Sequence, residues 1–291
     1  MDISRRQFLQ TSAAVAVAGV PGQKTTPARA ALTAADIIQR IKEQVAIPWR
    51  AQTVDNVVAG RPDIRVRGIA TTMMSTLDVV QRASAAGLNL IITHEPTFYT
   101  HQDTTETLKT DATYQFKDAF IRDHDIAIFR FHDHWHAMKP DGIAFGMARE
   151  LGWDKNVEPA NQREFTFTGV PLEVLVARIR ERLGASTMRV VGDPKMLVNR
   201  VAASWGYYTY NPANFPLTRP DVDVFVVGET REWETVEHAQ DMGASGKKKA
   251  LIVIGHVASE QAGMKYCAEW LKGFVTEVPV EYVPASEPFW K

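Results

Sequence analysis

Apolar and polar positions along this chain follow two periods, and the period changes from one short segment to the next. Thr33-Ala34-Ala35-Asp36 has the spacing of a capping box, and it opens a stretch in which Ile37, Ile38, Ile41 and Val45 share one helical face. Ile64 to Ala70 alternates and predicts a strand. Leu77, Val79, Val80 and Ala83 return to helical spacing and stop at Gly87. Leu88 to Ile92 and Ile126 to Phe131 predict short apolar strands, with helices over Asp111 to Asp123 and Gly142 to Leu151.

The second half repeats this grammar. Strands are expected over Glu164 to Thr168, Met188 to Val191, Val198 to Ser204, Val222 to Val227, Ala250 to Ile254 and Val278 to Val283. Leu172, Val174, Leu175, Ile179 and Leu183 mark an amphipathic helix. A second helix is expected from Glu232 to Met242, and a third carries Met264, Cys267, Ala268 and Leu271. Alternating strands and helices indicate α/β layers. Periodicity lapses near Trp153–Gln162, which suggests a division into residues 31–157 and 158–291.

The first thirty residues have a different character. Ser4-Arg5-Arg6-Gln7-Phe8-Leu9 is a twin-arginine pattern, followed by small apolar residues from Ala13 to Val20 and an A-x-A site at Ala28-Arg29-Ala30. Residues 1–30 therefore read as a signal for export of an already folded protein, and the expected location is the periplasm. Removing them takes away four cations and one anion, so the net charge of −1 becomes −4 in the mature chain.

Composition narrows the function. The 291 residues are 45% hydrophobic and 23% charged, which excludes bulk disorder. No stretch is strongly basic, which argues against a charge-driven nucleic-acid binder. No apolar run reaches the roughly 20 residues of a membrane span. The single cysteine, Cys267, excludes an intramolecular disulfide, and its helical spacing with Met264 and Leu271 marks it as core.

Polar residues gather where apolar strands end. Leu90-Ile91-Ile92-Thr93 runs into His94-Glu95, Ile128-Phe129-Arg130-Phe131 into His132-Asp133-His134-Trp135-His136, and Leu251-Ile252-Val253-Ile254-Gly255 into His256, with Glu260 four residues on. Five of the eight histidines lie at these three ends. In open α/β sheets, ligands bind beyond the carboxyl ends of strands. His94, Glu95, His132, His136, His256 and Glu260 would supply four imidazoles and two carboxylates, enough for two divalent metals. Zinc, iron, manganese, nickel and cobalt all suit such a set. Glu229 and Glu232 are candidate general bases or partners of the ligands, or simply helix N-terminal acids. Asp133 and His134 are candidates for orienting His132 and His136. Tyr207, Tyr208, Tyr210 and Phe215 are expected in a Pro/Asn-rich loop and suggest either an aromatic lid or an interface, and Trp233 suggests core or interface.

Together, Leu90 to Pro96, His132-x-x-x-His136, Gly228-Glu229 and Gly255-His256-x-x-x-Glu260 resemble the Nif-three-like dinuclear metal proteins, many of which carry the label GTP cyclohydrolase I type 2. The order of motifs matches from about residue 36 to the ending Val283-Pro284-Ala285 and Pro288-Phe289. The resemblance implies two interlinked α/β domains with mixed sheets, a dinuclear centre between them and a homohexameric ring. Two positions depart from the family pattern. Glu95 stands where a second adjacent histidine is usual, and His136 where an aspartate is usual. The usual glycine-rich segment is replaced by Trp205-Gly206-Tyr207-Tyr208-Thr209-Tyr210-Asn211-Pro212. Two functions follow as expectations: a dinuclear-metal hydrolase acting on a small molecule of unknown identity, or a non-catalytic metal carrier, sensor or scaffold. No Walker-type phosphate loop is present.

Overall fold

A computed structural model describes residues 32–290. The export signal read at residues 1–30 lies outside the described residues. Helix α1 (Ala34–Gln44) starts at Thr33, whose side chain accepts from the Asp36 amide while the Asp36 carboxylate accepts from the Thr33 amide. Strands β1 (Val57–Ala59) and β2 (Ile69–Met74) and helix α2 (Leu77–Ala85) follow. Next come β3 (Leu90–Glu95), α3 (Ala112–Asp123), β4 (Ala127–Arg130), the short α4 (Asp133–Ala137) and α5 (Gly142–Leu151). These build a sheet of order β1-β4-β3-β2, closed on its far edge by the last strand, β11 (Val280–Tyr282). Strands β4, β3, β2 and β11 run parallel, so β3 and β4 end on the same edge.

The second sheet begins with β5 (Val157–Glu158) and β6 (Asn161–Pro171), followed by α6 (Leu172–Leu183), β7 (Arg189–Val191), β8 (Leu197–Tyr208) and β9 (Val224–Thr230). A π turn (Glu232–Val236), α7 (Glu237–Ala244), β10 (Ala250–Val253) and α8 (His256–Lys272) complete it. Its order is β5-β6-β8-β9-β10-β7, with β8, β9 and β10 parallel and the others antiparallel. The fold is thus α/β with two mixed sheets.

Helix α8 packs on β2 and β11 of the first sheet and on β8 and β9 of the second. The largest core cluster accordingly mixes Ile69, Leu90 and Phe129 with Val201, Val224 and Ile252, and seats Met264, Cys267 and Leu271 of α8 among them. Small residues permit this packing. A Cβ on Gly146 of α5 would lie 2.5 Å from the Ala262 carbonyl, and one on Gly263 would lie 2.6 Å from the Ile143 Cα.

Three expectations are corrected. Ile64 and Val66 are buried as their alternation implied, but regular pairing starts only at Ile69, after a single bridge between Thr33 and Arg65. Tyr207 and Tyr208 belong to the end of β8 and not to a loop. Trp233 is 72% exposed on the chain, so it is not core.

Candidate metal centre

The edge of the first sheet delivers the first four donors. His94 and Glu95 are the last residues of β3, and Phe131 follows β4 with its amide bonded to the Thr93 carbonyl. His132 is the N-cap of α4, and His136 sits one turn further along the same helix. The second sheet delivers the rest. Chain leaving β10 turns at Gly255, φ +95°, into α8, whose first turn places His256 and Glu260 on one face.

All six sequence-predicted donors converge. His94 Nε2 lies 3.7 Å from Glu260 Oε1, and His136 Nε2 lies 3.9 Å from the same oxygen. Glu95 Oε1 is 3.7 Å from His132 Nε2 and 3.4 Å from His256 Nε2, which also meets Glu260 Oε2 at 3.1 Å. Ligand atoms of His94, His132 and His136 all fall within 4.8 Å of one another, and so do those of His94, Glu95 and Glu260.

Three imidazoles are fixed from behind. His94 Nδ1–H donates to the Phe131 carbonyl at 3.2 Å, His132 Nδ1–H to Asp133 Oδ1 at 3.0 Å, and His136 Nδ1–H to Asp141 Oδ2 at 3.1 Å. Each bond fixes the tautomer that leaves the Nε2 lone pair facing the cluster. His94 Nε2 is fully buried and has no hydrogen-bond partner. A buried imidazole nitrogen without a partner is costly unless something binds it. The donor set, nitrogen and carboxylate oxygen with no thiolate, suits a borderline divalent cation.

Charge balance within the cluster agrees. Burial opposes protonation of His94 and His256, but the adjoining carboxylates outweigh it: Glu260 and Glu95 raise His94, and Glu229, Glu260 and Glu95 push His256 up to about 12. Burial also opposes ionisation of Glu95 and Glu260, yet His256 and His94 hold both below the usual carboxylate range. His132 is lowered to about 4, by burial first and by its neighbour His94 second. Two carboxylates are thus held ionised in a buried place that attracts positive charge.

Several positioning residues carry no sequence motif. The Asp55 carboxylate accepts from the amides of His132 (2.7 Å), Asp133 (2.9 Å) and His134 (2.8 Å), and from His134 Nδ1 at 2.6 Å. It caps the turn that carries His132 and His136. His134 therefore faces away from the cluster, stacked on Trp49 with ring centroids 3.7 Å apart, whereas Asp133 does orient His132. Buried Arg130 donates to the His94 carbonyl at 3.2 Å, to the His101 carbonyl and to Glu95 Oε2 at 3.4 Å. Asp141 holds His136 while accepting from the Ile143 and Ala144 amides at the start of α5. Asp141 directly before the helix that opens at Gly142 is the one sequence signal that marks it as a cap.

Gly206, φ +75°, lies near the end of β8 and shows why the altered segment keeps a glycine at that position. A Cβ there would lie 2.3 Å from Glu260 Oε1, and its amide donates to Ser259 Oγ at 2.9 Å. The neighbouring Gly228 would put a Cβ 2.3 Å from Ser259 Oγ. These two glycines let backbone approach the start of α8. Tyr208 packs on Phe225, Tyr210 Oη meets His238, and Phe215 is core, which leaves Tyr207 as the half-exposed ring of the run. Glu229 Oε1 is 3.6 Å from His256 Nδ1, whereas Glu232 pairs with Arg189. A cavity of about 710 Å³ opens over the cluster, lined by Glu95, His132, His136, Glu229, His256 and Glu260 among others.

Residues 32–288 match the Duf34/NIF3 (NGG1p interacting factor 3) family model. The chain belongs to the Duf34/NIF3 family. Residues 2–22 match the twin-arginine translocation signal sequence, so this family member carries the address for export by that pathway. It is 23% identical over 267 residues to a Clostridium perfringens protein named GTP cyclohydrolase 1 type 2 homolog, covering 87% of this chain and 95% of the relative. The fold matches that of Staphylococcus aureus protein SA1388, with TM-score 0.70, 19% identity and coverage of 89% and 99%. It also matches a Bacillus cereus protein related to NIF3, with TM-score 0.69, 15% identity and coverage of 90% and 99%. Among the described residues no helix is long and apolar enough to cross a membrane.

Proposed function

We propose that this protein is an exported, dinuclear-metal-dependent hydrolase of a small molecule, working in the periplasm. The observation that carries this reading is the buried His94 Nε2, without a hydrogen-bond partner and 3.7 Å from Glu260 Oε1, within a ring of imidazoles and two ionised carboxylates, beneath an open cavity of about 710 Å³. His94, Glu95, His132, His136, His256 and Glu260 would hold the two divalent ions between the halves of the chain contributed by the two sheets. When bound, such ions supply Lewis acidity and make water a better nucleophile.

The chain's own residues supply the rest. Glu229 sits at the cavity wall with Oε1 near His256 Nδ1, where its carboxylate can take the proton from an attacking water. Trp205, Met74 and Tyr207 narrow the cavity and limit bulk water around that proton transfer. The name of the Clostridium perfringens relative points to ring-opening hydrolysis of a purine nucleotide, although nucleoside triphosphates are scarce in the compartment reached by export. A homohexameric ring is the assembly expected from the family resemblance.

Elemental mass spectrometry on protein purified without added metal, wild type beside His136→Asp, is the deciding test. Two metals per chain are expected in wild type. Hydrolysis of a panel of nucleotide, phosphodiester and cyclic-amide substrates should require metal and fall about 100-fold in Glu229→Gln. Hydrolysis that survives His94→Ala and His256→Ala overturns the site. Stoichiometric metal without hydrolysis of any substrate favours the carrier or scaffold role.

A further inference from the structure

Helix α3 is mostly solvent-facing and turns only Lys117 and Ile121 fully inward. An amphipathic helix normally fills such inward positions with apolar side chains. Lys117 is 2% exposed, and its Nζ donates to the Thr97 carbonyl at 2.7 Å. Among the described residues no carboxylate lies within ion-pair distance of this ammonium. Asp103 is the acid whose charge it feels, but its Oδ1 accepts from the Thr97 and Phe98 amides, and its Oδ2, 3.7 Å from Arg130 and without a hydrogen-bond partner, makes no ion pair with Lys117. Two of its three N–H donors therefore remain, in a place where an unpaired charge is costly.

The same ammonium lines the cavity over the donor cluster. Thr97, which holds it, is two residues beyond Glu95. Ser75, Thr76, Thr100 and His101 line the adjoining wall. The Ser75 hydroxyl is bonded to Thr97, that of Thr76 accepts from the Val79 amide and that of Thr100 meets Thr104, so within this cavity it is Lys117 that has N–H donors to spare for an oxyanion. Two rings also border this cavity: Tyr99, 63% exposed and 5.7 Å from Lys117 Nζ at its centroid, and Tyr207, 43% exposed. Exposed ring faces at a cavity mouth suit a planar group.

We propose that Lys117 forms the acid-binding subsite for an aromatic or heteroaromatic substrate carrying a phosphate or carboxylate. This deepens the hydrolase reading by naming the substrate class of the same cavity, and it rests on that reading for the reaction but not for the binding. Lys117 takes the acid group, Tyr99 and Tyr207 flank the ring, and the scissile group lies towards Glu95 and His256. The strap to Thr97 keeps the ammonium at the wall, so it needs no reorganisation when the anion arrives.

The test is titration calorimetry of the full mature chain with phenyl phosphate, benzoate, inorganic phosphate and phenol, in metal-loaded and chelator-treated protein. Phenyl phosphate or benzoate should bind more tightly than inorganic phosphate, which lacks the ring, and than phenol, which lacks the acid. The better of the two acids identifies the anionic group. Lys117→Met should weaken that ligand about tenfold or more in both metal states, with metal content unchanged. Its melting temperature should hold or rise, because a buried unpaired ammonium is replaced by an apolar chain of similar length. Equal affinity in Lys117→Met and wild type overturns the subsite, as does a fall in melting temperature without loss of affinity, which would make Lys117 a structural strap. Lys117-dependent binding in a protein that takes up no metal even when divalent metal is supplied would overturn the hydrolase reading and leave the subsite standing.

Discussion

His94, His132 and His136 each commit Nδ1 to an acceptor, at 3.2, 3.0 and 3.1 Å, whereas the His256 Nδ1 reaches only the half-exposed Glu229, at 3.6 Å, while its Nε2 meets Glu95 and Glu260. The first three belong to the β3 and α4 side, where Asp55 and Arg130 lock the backbone that carries them. The α8 side is held by close approach instead: Gly206 presses on Glu260, and Ser259 ties the first turn to β8. One side is thus preorganised by hydrogen bonds and the other by packing. A hydrogen-bonded side should fail when a partner is removed. A packed side should fail when a single carbon is added.

The largest effect is expected from Asp55→Ala. It strips the acceptor from one buried and two half-buried amides and from the His134 ring at once, and should cost about 3 kcal/mol of stability together with the metal. A chemical denaturation midpoint close to wild type would break the claim that this side is locked by hydrogen bonds. Gly206→Ala comes next. The added Cβ displaces the Glu260 carboxylate, so metal content should fall by at least half while melting shifts only modestly. Full metal occupancy would show that the packed side can yield.

Asp141→Asn sharpens the contrast further. Asparagine keeps an oxygen for the Ile143 and Ala144 amides but weakens the grip on His136, so metal affinity should fall about 10- to 100-fold with little change in stability. Competition with a chromogenic chelator measures it. The smallest effect is a control in the second sheet, away from the donors. Glu164 is held at about 2, first by Arg219 at 2.6 Å and then by Arg200, against burial. Because its folded pKa lies below the unfolded value, its contribution is complete above about pH 4.5 and is lost as pH falls towards 2. Glu164→Gln should flatten the melting-temperature profile over that window and leave metal content untouched. An unchanged profile would show the pair to be fully screened.

Much of this was legible in the sequence because burial imposes period. The strands ending at His94, before His132 and before His256 are short apolar runs, and the capping box at Thr33, the stop at Gly87 and the helix over Gly142 to Leu151 follow from local chemistry alone. That His94, Glu95, His132 and His136 would meet was also readable, since the parallel β3 and β4 share their carboxyl edge, whereas His256 and Glu260 follow a strand of the other sheet and reach them through the packing of α8 on both sheets. What stayed hidden depends on tertiary contact. Asp55 lies in an irregular segment, with nothing in its neighbours to announce that it would cap a helix 77 residues away. Lys117 looks like one more charged residue on an amphipathic helix until the cavity gives it a direction. His134 has the same motif position as its neighbours, and only stacking on Trp49 removes it from the cluster.

The strand order carries a consequence for biogenesis. Among the described residues β11 follows every other strand yet pairs with β2, and α8, which carries His256 and Glu260, follows every other helix. Residues up to Glu260 must therefore leave the ribosome before the final two donors reach the other four, and residues up to Tyr282 before β11 joins the first sheet. The export signal is the first part synthesised, so the address is legible long before the cargo is finished. For a route that carries folded proteins, the interval between these events is when the donor set is completed. The choice of metal would then be made from the cytoplasmic supply and carried outward with the protein.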